Sequence, residues 1–195
     1  MNFLKLKKKI KKKYLNYRDI TNILDISQDS ARVTASRYAK TGYLLRIKKG
    51  IYVFQDEWGR FDIETKFSFA NLIQTPSYVS LMSALSYYQV STQIQQDFIE
   101  SIAQKRSKTV EIQDTVFNYT KIDKNLYFGF EKKNDFFIAN AEKAFLDALY
   151  LQSLGRYRLD FASIDFDKLD KMKIKKQLET FPKFVKKKAI QYGFI

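Results

Sequence analysis

Apolar positions in the first quarter of the chain change period from helical to strand-like. Ala31, Ala35 and Tyr38 fall at i, i+4 and i+7, one inward stripe of a helix. Ser27 stands where an N-cap is expected, Asp29 suits the first turn, and Gly42 fits a left-handed terminator. Leu45, Ile47, Ile51 and Val53 then flank a Lys48-Lys49-Gly50 tip, which predicts a β-hairpin whose Gly50 supplies a positive φ. Upstream, Tyr17 to Ile26 places Ile20, Ile23 and Leu24 on one helical face. Residues 2–15, NFLKLKKKIKKKYL, read as a first helix with a thin apolar edge of Phe3, Leu6 and Ile10. The succession of helices, turn, helix and basic hairpin predicts a winged helix-turn-helix over residues 1–56.

Beyond it the pattern is mixed. Gln55–Phe61 reads as a boundary, and residues 60–195 as a second, α/β domain. Ile63 to Ile73 predicts a helix, interrupted at Thr75-Pro76-Ser77. Tyr78 to Ser80 reads as a short strand, and Leu81, Ala84, Leu85 and Tyr88 mark another helix. The segments FIESIAQ, KTVEI, TVFNYTKI, NLYFGFE and FFIA make residues 98–139 β-rich. Asn140 to Leu151 predicts an amphipathic helix with Ala141, Ala144, Phe145, Ala148 and Leu149 inward. Phe166 to Leu178 and Pro182 to Tyr192 predict two more. The fold class expected is α+β.

Charge changes the picture. The chain carries a net +14, and residues 1–54 hold 14 of its 35 Lys and Arg but three of its 21 Asp and Glu. Eleven units of the excess therefore lie in the segment whose shape already points to duplex DNA, where a basic surface gains from counterion release. The expected DNA-binding residues are Gln28, Ser30, Arg32, Ser36, Arg37 and Lys40 on the recognition helix, with Arg46, Lys48 and Lys49 on the wing. A lysine run at 5–13 also fits RNA, whereas its apolar edge is too thin for a membrane anchor. Lys186-Lys187-Lys188 reads as a solvated face.

Candidate chemistry is sparse. No Cys is present, which excludes disulfides and thiol chemistry, and no His, which removes the commonest general base and zinc ligand. No P-loop or dinucleotide-binding glycine pattern occurs, so no cofactor and no metal is expected. Glu131-Lys132-Lys133, with Asp114 or Asp123 upstream, matches a restriction-type Glu-x-Lys pattern. A hairpin turn in EKKND explains the same residues, and the chain reads as non-enzymatic. Tyr87-Tyr88 offers stacking surfaces for bases, but core packing accounts for them. No apolar run reaches membrane-spanning length and no secretory stretch is evident, so a soluble, cytoplasmic protein is expected.

The order GYLLRIKKGIYVF, PSYVSLMSALSYYQV, KRSKTVEI, AEKAFLDALYL resembles the AbiEi antitoxin family over nearly the whole chain. These are antitoxins of AbiE-type (type IV) toxin–antitoxin systems, associated with abortive infection of phage-infected bacteria. The resemblance implies an N-terminal winged helix-turn-helix that represses the operon's own promoter at inverted repeats. It implies a C-terminal α/β domain that counters a nucleotidyltransferase-like toxin. The dense lysines of the first helix depart from that pattern. The competing readings are a DNA nuclease built on Glu131 and an RNA-binding interaction module.

Overall fold

The computed structural model describes residues 2–93 and 95–194. The chain is α+β and divides into two compact units, residues 1–65 and 66–195. Gln55–Arg60, near the boundary read from sequence, forms one 3-10 helix with Trp58 buried.

The first unit runs α1 (Asn2–Lys9), β1 (Leu15–Asn16), α2 (Tyr17–Leu24), α3 (Gln28–Lys40), β2 (Leu44–Lys48) and β3 (Ile51–Phe54). Its strands form an antiparallel sheet of order β1-β3-β2. This is the topology of a winged helix-turn-helix. Leu6, Leu15, Ile20, Ala31, Ala35, Tyr38, Leu44, Tyr52 and Phe54 form its core. The small Ala31 and Ala35 are fully buried, so α3 lies close against its neighbours.

Two expectations fail here for physical reasons. The first helix stops at Lys9 instead of reaching Leu15. Lys7–Lys11, Lys8–Lys12 and Lys9–Lys13 would repel across successive turns, and Leu15 instead pairs with Tyr52 as the sheet's third strand. The wing does not alternate strictly. The register of β2 shifts between Arg46 and Lys48, so Ile47 is an extra, bulged residue. Leu44 and Ile47 are buried as a result, while Leu45 and Ile51 are half-buried.

The second unit holds α4 (Ile63–Ile73, whose first residues belong to the first unit), β4 (Ser77–Val79), α5 (Leu81–Tyr87), β5 (Phe98–Ala103), β6 (Lys108–Ile112) and β7 (Thr115–Lys121). It continues with β8 (Phe130–Lys133), β9 (Phe136–Ala139), α6 (Ala141–Ser153), α7 (Lys171–Leu178) and α8 (Lys183–Gln191). The strands make a mixed six-stranded sheet of order β6-β7-β5-β4-β9-β8. Parallel pairs β5–β7 and β4–β9 alternate with antiparallel ones.

Three local readings change in this unit. In NLYFGFE the strand begins only at Phe130, after a 3-10 turn at Lys124–Leu126 and a left-handed Gly129. Phe166 to Leu178 is not one helix, because Asp165 and Asp170 each accept backbone N–H groups and start separate turns. The α6 helix is not one-sided: Glu142, Lys143 and Asp147 are buried along with its apolar residues, since α5, α7 and α8 all pack on it.

Candidate nucleic-acid interface

The helix-turn-helix is fixed by local hydrogen bonds. The Asn16 side chain accepts from the Asp19 N–H (3.1 Å), and the Asp19 carboxylate accepts from the Asn16 N–H (3.0 Å), a reciprocal capping box. Asp25 adopts φ 56° and ends α2. The Ser27 hydroxyl accepts from the Ser30 N–H (3.2 Å) and starts α3. At the far end Gly42 takes φ +76°, and the Tyr43 N–H returns to the Tyr38 carbonyl (2.9 Å).

Gly50 suits the wing tip through its backbone conformation, and a side chain there would also press on Tyr17. Its φ is +81°, and an added Cβ would lie 3.2 Å from the Tyr17 ring. The Tyr17 and Tyr52 hydroxyls lie 3.3 Å apart, joining the start of α2 to the wing strand β3. Burial and the Tyr17 bond push Tyr52 up to about 12, so it stays a neutral hydroxyl at ordinary pH.

Gln28, Ser30, Arg32, Ser36, Arg37 and Lys40 are all exposed along α3. Arg46 and Lys49 are exposed on the wing, and Lys48 is half-buried. The two arginines are steered. Arg32 donates to Asp29 (2.9 Å) and lies 5.9 Å from the Tyr17 ring, while Arg37 lies 5.6 Å from the Tyr38 ring. Arg32, Val33, Ser36, Arg37 and Lys40 line a shallow depression of about 450 Å³. Val33 was not singled out by sequence, yet it is 68% exposed. Helical geometry held the signal, since Val33 lies about 200° round from Ala31 at roughly 100° per residue.

In the lysine-rich segment Lys7 pairs with Asp56, and Lys12 with Asp19 (2.6 Å). The Lys7 bond holds the Asp56 carboxyl below its usual range. Short Ser30 and Ser36 and long Arg37 and Lys40 share the exposed face of α3, and Arg46 and Lys49 are exposed on the wing.

The Glu-x-Lys residues are not brought together with the upstream acids. Glu131 is exposed on β8, at one edge of the sheet. Asp114 precedes β7 and Asp123 follows it, and β7 is four strand positions from β8. At about 4.8 Å per position that is roughly 20 Å. Among the described residues no group of three or more acidic side chains could hold a metal ion. Tyr87 packs against Phe67 (5.9 Å) and Phe136 (6.0 Å), and Lys133 lies over Tyr87 (4.8 Å) and Tyr88 (5.2 Å).

Two buried polar groups in the second unit escaped the sequence. Lys143 and Asp147 are enclosed with Tyr78 and Ser80, and Glu100 with Tyr157. The i, i+4 spacing of Lys143 and Asp147 was the only signal, and it usually marks an exposed pair.

No family model matches the chain, and no curated protein matches it. Its fold is similar to that of the solved RV2827C protein from Mycobacterium tuberculosis, with a TM-score of 0.58 at 10% identity. The alignment covers 94% of this chain and 71% of that one. At this identity the likeness shows the shared α+β fold alone. Among the described residues no helix is long and apolar enough to cross a membrane.

Proposed function

We propose that this chain is a DNA-binding transcriptional autorepressor that acts as the antitoxin of an AbiE-type toxin–antitoxin system. The observation that carries the DNA half is the outward face of α3: exposed Gln28, Ser30, Arg32, Ser36 and Arg37, beside a wing bearing Arg46, Lys48 and Lys49. In a winged helix-turn-helix such a face enters the major groove, where Arg pairs with guanine and Gln with adenine. The wing and Lys40 contact phosphates, which set register without reading bases. The operator is duplex DNA, with inverted repeats as the expected form, and the setting is the cytoplasm.

The antitoxin half is supported by the order of segments shared with the AbiEi family, and assigns the second unit to countering a nucleotidyltransferase-like toxin. The chain performs no catalysis in this reading.

The test is paired. A reporter under the gene's own promoter measures repression, and growth of cells expressing the neighbouring toxin measures protection. Arg32→Ala is expected to lose repression and keep protection. Absence of protection by the unaltered chain refutes the antitoxin role and leaves the DNA-binding role standing.

A further inference from the structure

On the exposed crest of α3 stands a branched apolar side chain, Val33, at 68% exposure. A valine in this place gains nothing for the fold. It is a weaker helix former than the lysine, glutamine or arginine usual at an exposed position, and it leaves its methyl groups in water. Its neighbours do not cover it. Arg32 leans towards Asp29 and the Tyr17 ring, and Arg37 lies over the Tyr38 ring. Ser30 and Ser36, one turn to either side, are short. The same stripe also carries Asp29, Arg37 and Lys40 at i−4, i+4 and i+7, and Val33 still stands 68% exposed among them, open to a base edge.

The major groove offers one apolar group, the 5-methyl of thymine. Resting on the DNA-binding reading above, we infer that Val33 is a specificity-determining residue that packs on a thymine methyl in each half-site. Serine and arginine at the same face distinguish bases by hydrogen bonds, and a valine adds a contact that only thymine satisfies. The inference commits the operator to a T·A pair at the position facing the middle of α3.

The experiment begins with selection of binding sites from a random duplex pool by the full-length protein. Thymines of the selected site are then replaced one at a time by deoxyuracil, which deletes only the methyl. One replacement per half-site is expected to weaken binding about fourfold, the worth of one buried methyl-sized group. Val33→Ala, whose single methyl reaches less far, is expected to shrink the uracil penalty, whereas Val33→Ile preserves it. Circular dichroism confirms that these exposed-site variants stay folded. Indifference of the unaltered protein to every uracil, a selected site without thymine, or an undiminished uracil penalty in Val33→Ala overturns the assignment while leaving DNA binding intact. Failure to enrich any sequence overturns both.

Discussion

The Lys143 ammonium lies against the Asp147 carboxylate one turn along α6, and neither side chain reaches solvent. Asp147 also accepts from the Tyr78 hydroxyl (3.0 Å) and the Ser80 hydroxyl (2.8 Å), and Lys143 donates to Tyr78 (3.0 Å). Burial pulls the ammonium down and pushes the carboxyl up, and their pairing opposes both shifts. A pair this deep is costly to break from one side. Lys143→Met is expected to destabilise the second unit by about 3–5 kcal/mol, because it leaves a buried acid without its cation. Adding Asp147→Leu should recover part of that loss. Urea unfolding of the single and double variants checks this, and strictly additive losses would contradict it.

Glu100 predicts a pH dependence. It is buried on β5, and loss of water raises its pKa from 4.5 to about 7, against bonds from Tyr157 (3.0 Å) and the Met82 N–H (3.1 Å). Below about pH 4.5 the carboxyl is protonated in folded and unfolded chains alike. Between there and about 7 the unfolded chain ionises while the folded one keeps its proton, so stability falls as pH rises. The loss is complete above 7 and amounts to about 3 kcal/mol. Glu100→Gln should remove this component. The difference in unfolding free energy between the two proteins, followed from pH 5 to pH 8 (about the window of the shift), should then grow in favour of the variant.

The wing should add affinity without selectivity. Neutralising Lys48 and Lys49 together is expected to weaken binding to all duplexes alike. The slope of log affinity against log salt should drop by about one to two units. An unchanged slope would remove the wing from the interface.

Glu131→Ala should leave repression unchanged, and the purified chain should not cleave plasmid DNA with Mg²⁺. Metal ligands must converge to about 2.1 Å, and Glu131 and the upstream acids lie at opposite parts of the sheet. Mg²⁺-dependent cleavage abolished by Glu131→Ala would make the chain a nuclease.

What the sequence revealed was mostly local. Ser27, Gly42 and Gly50 announce a cap, a helix end and a hairpin tip because each acts on its own neighbours. The helix over Ile63–Ile73 is likewise legible from its own period. Leu15 reads as helical because its strand pairing with Tyr52, far along the chain, leaves no local mark. Ile47 was read as part of a regular alternation because a bulge leaves no mark in apolar periodicity. Lys143, Asp147 and Glu100 were hidden for a related reason: charged residues are read as outward until the surrounding elements enclose them. Val33 escaped because the same rule assigns apolar residues inward.

On the proposed function, the face of α3 reads duplex DNA. This is tested most directly by titrating the full-length protein against a duplex from upstream of its own gene and an unrelated duplex, at one physiological salt concentration. The specific duplex should bind at least about 10³-fold more tightly. Arg32→Ala or Arg37→Ala should cost about 1–3 kcal/mol on that duplex, with less effect on the unrelated one. Equal affinity for both duplexes, or operator binding by both variants that matches the unaltered protein, would contradict the account.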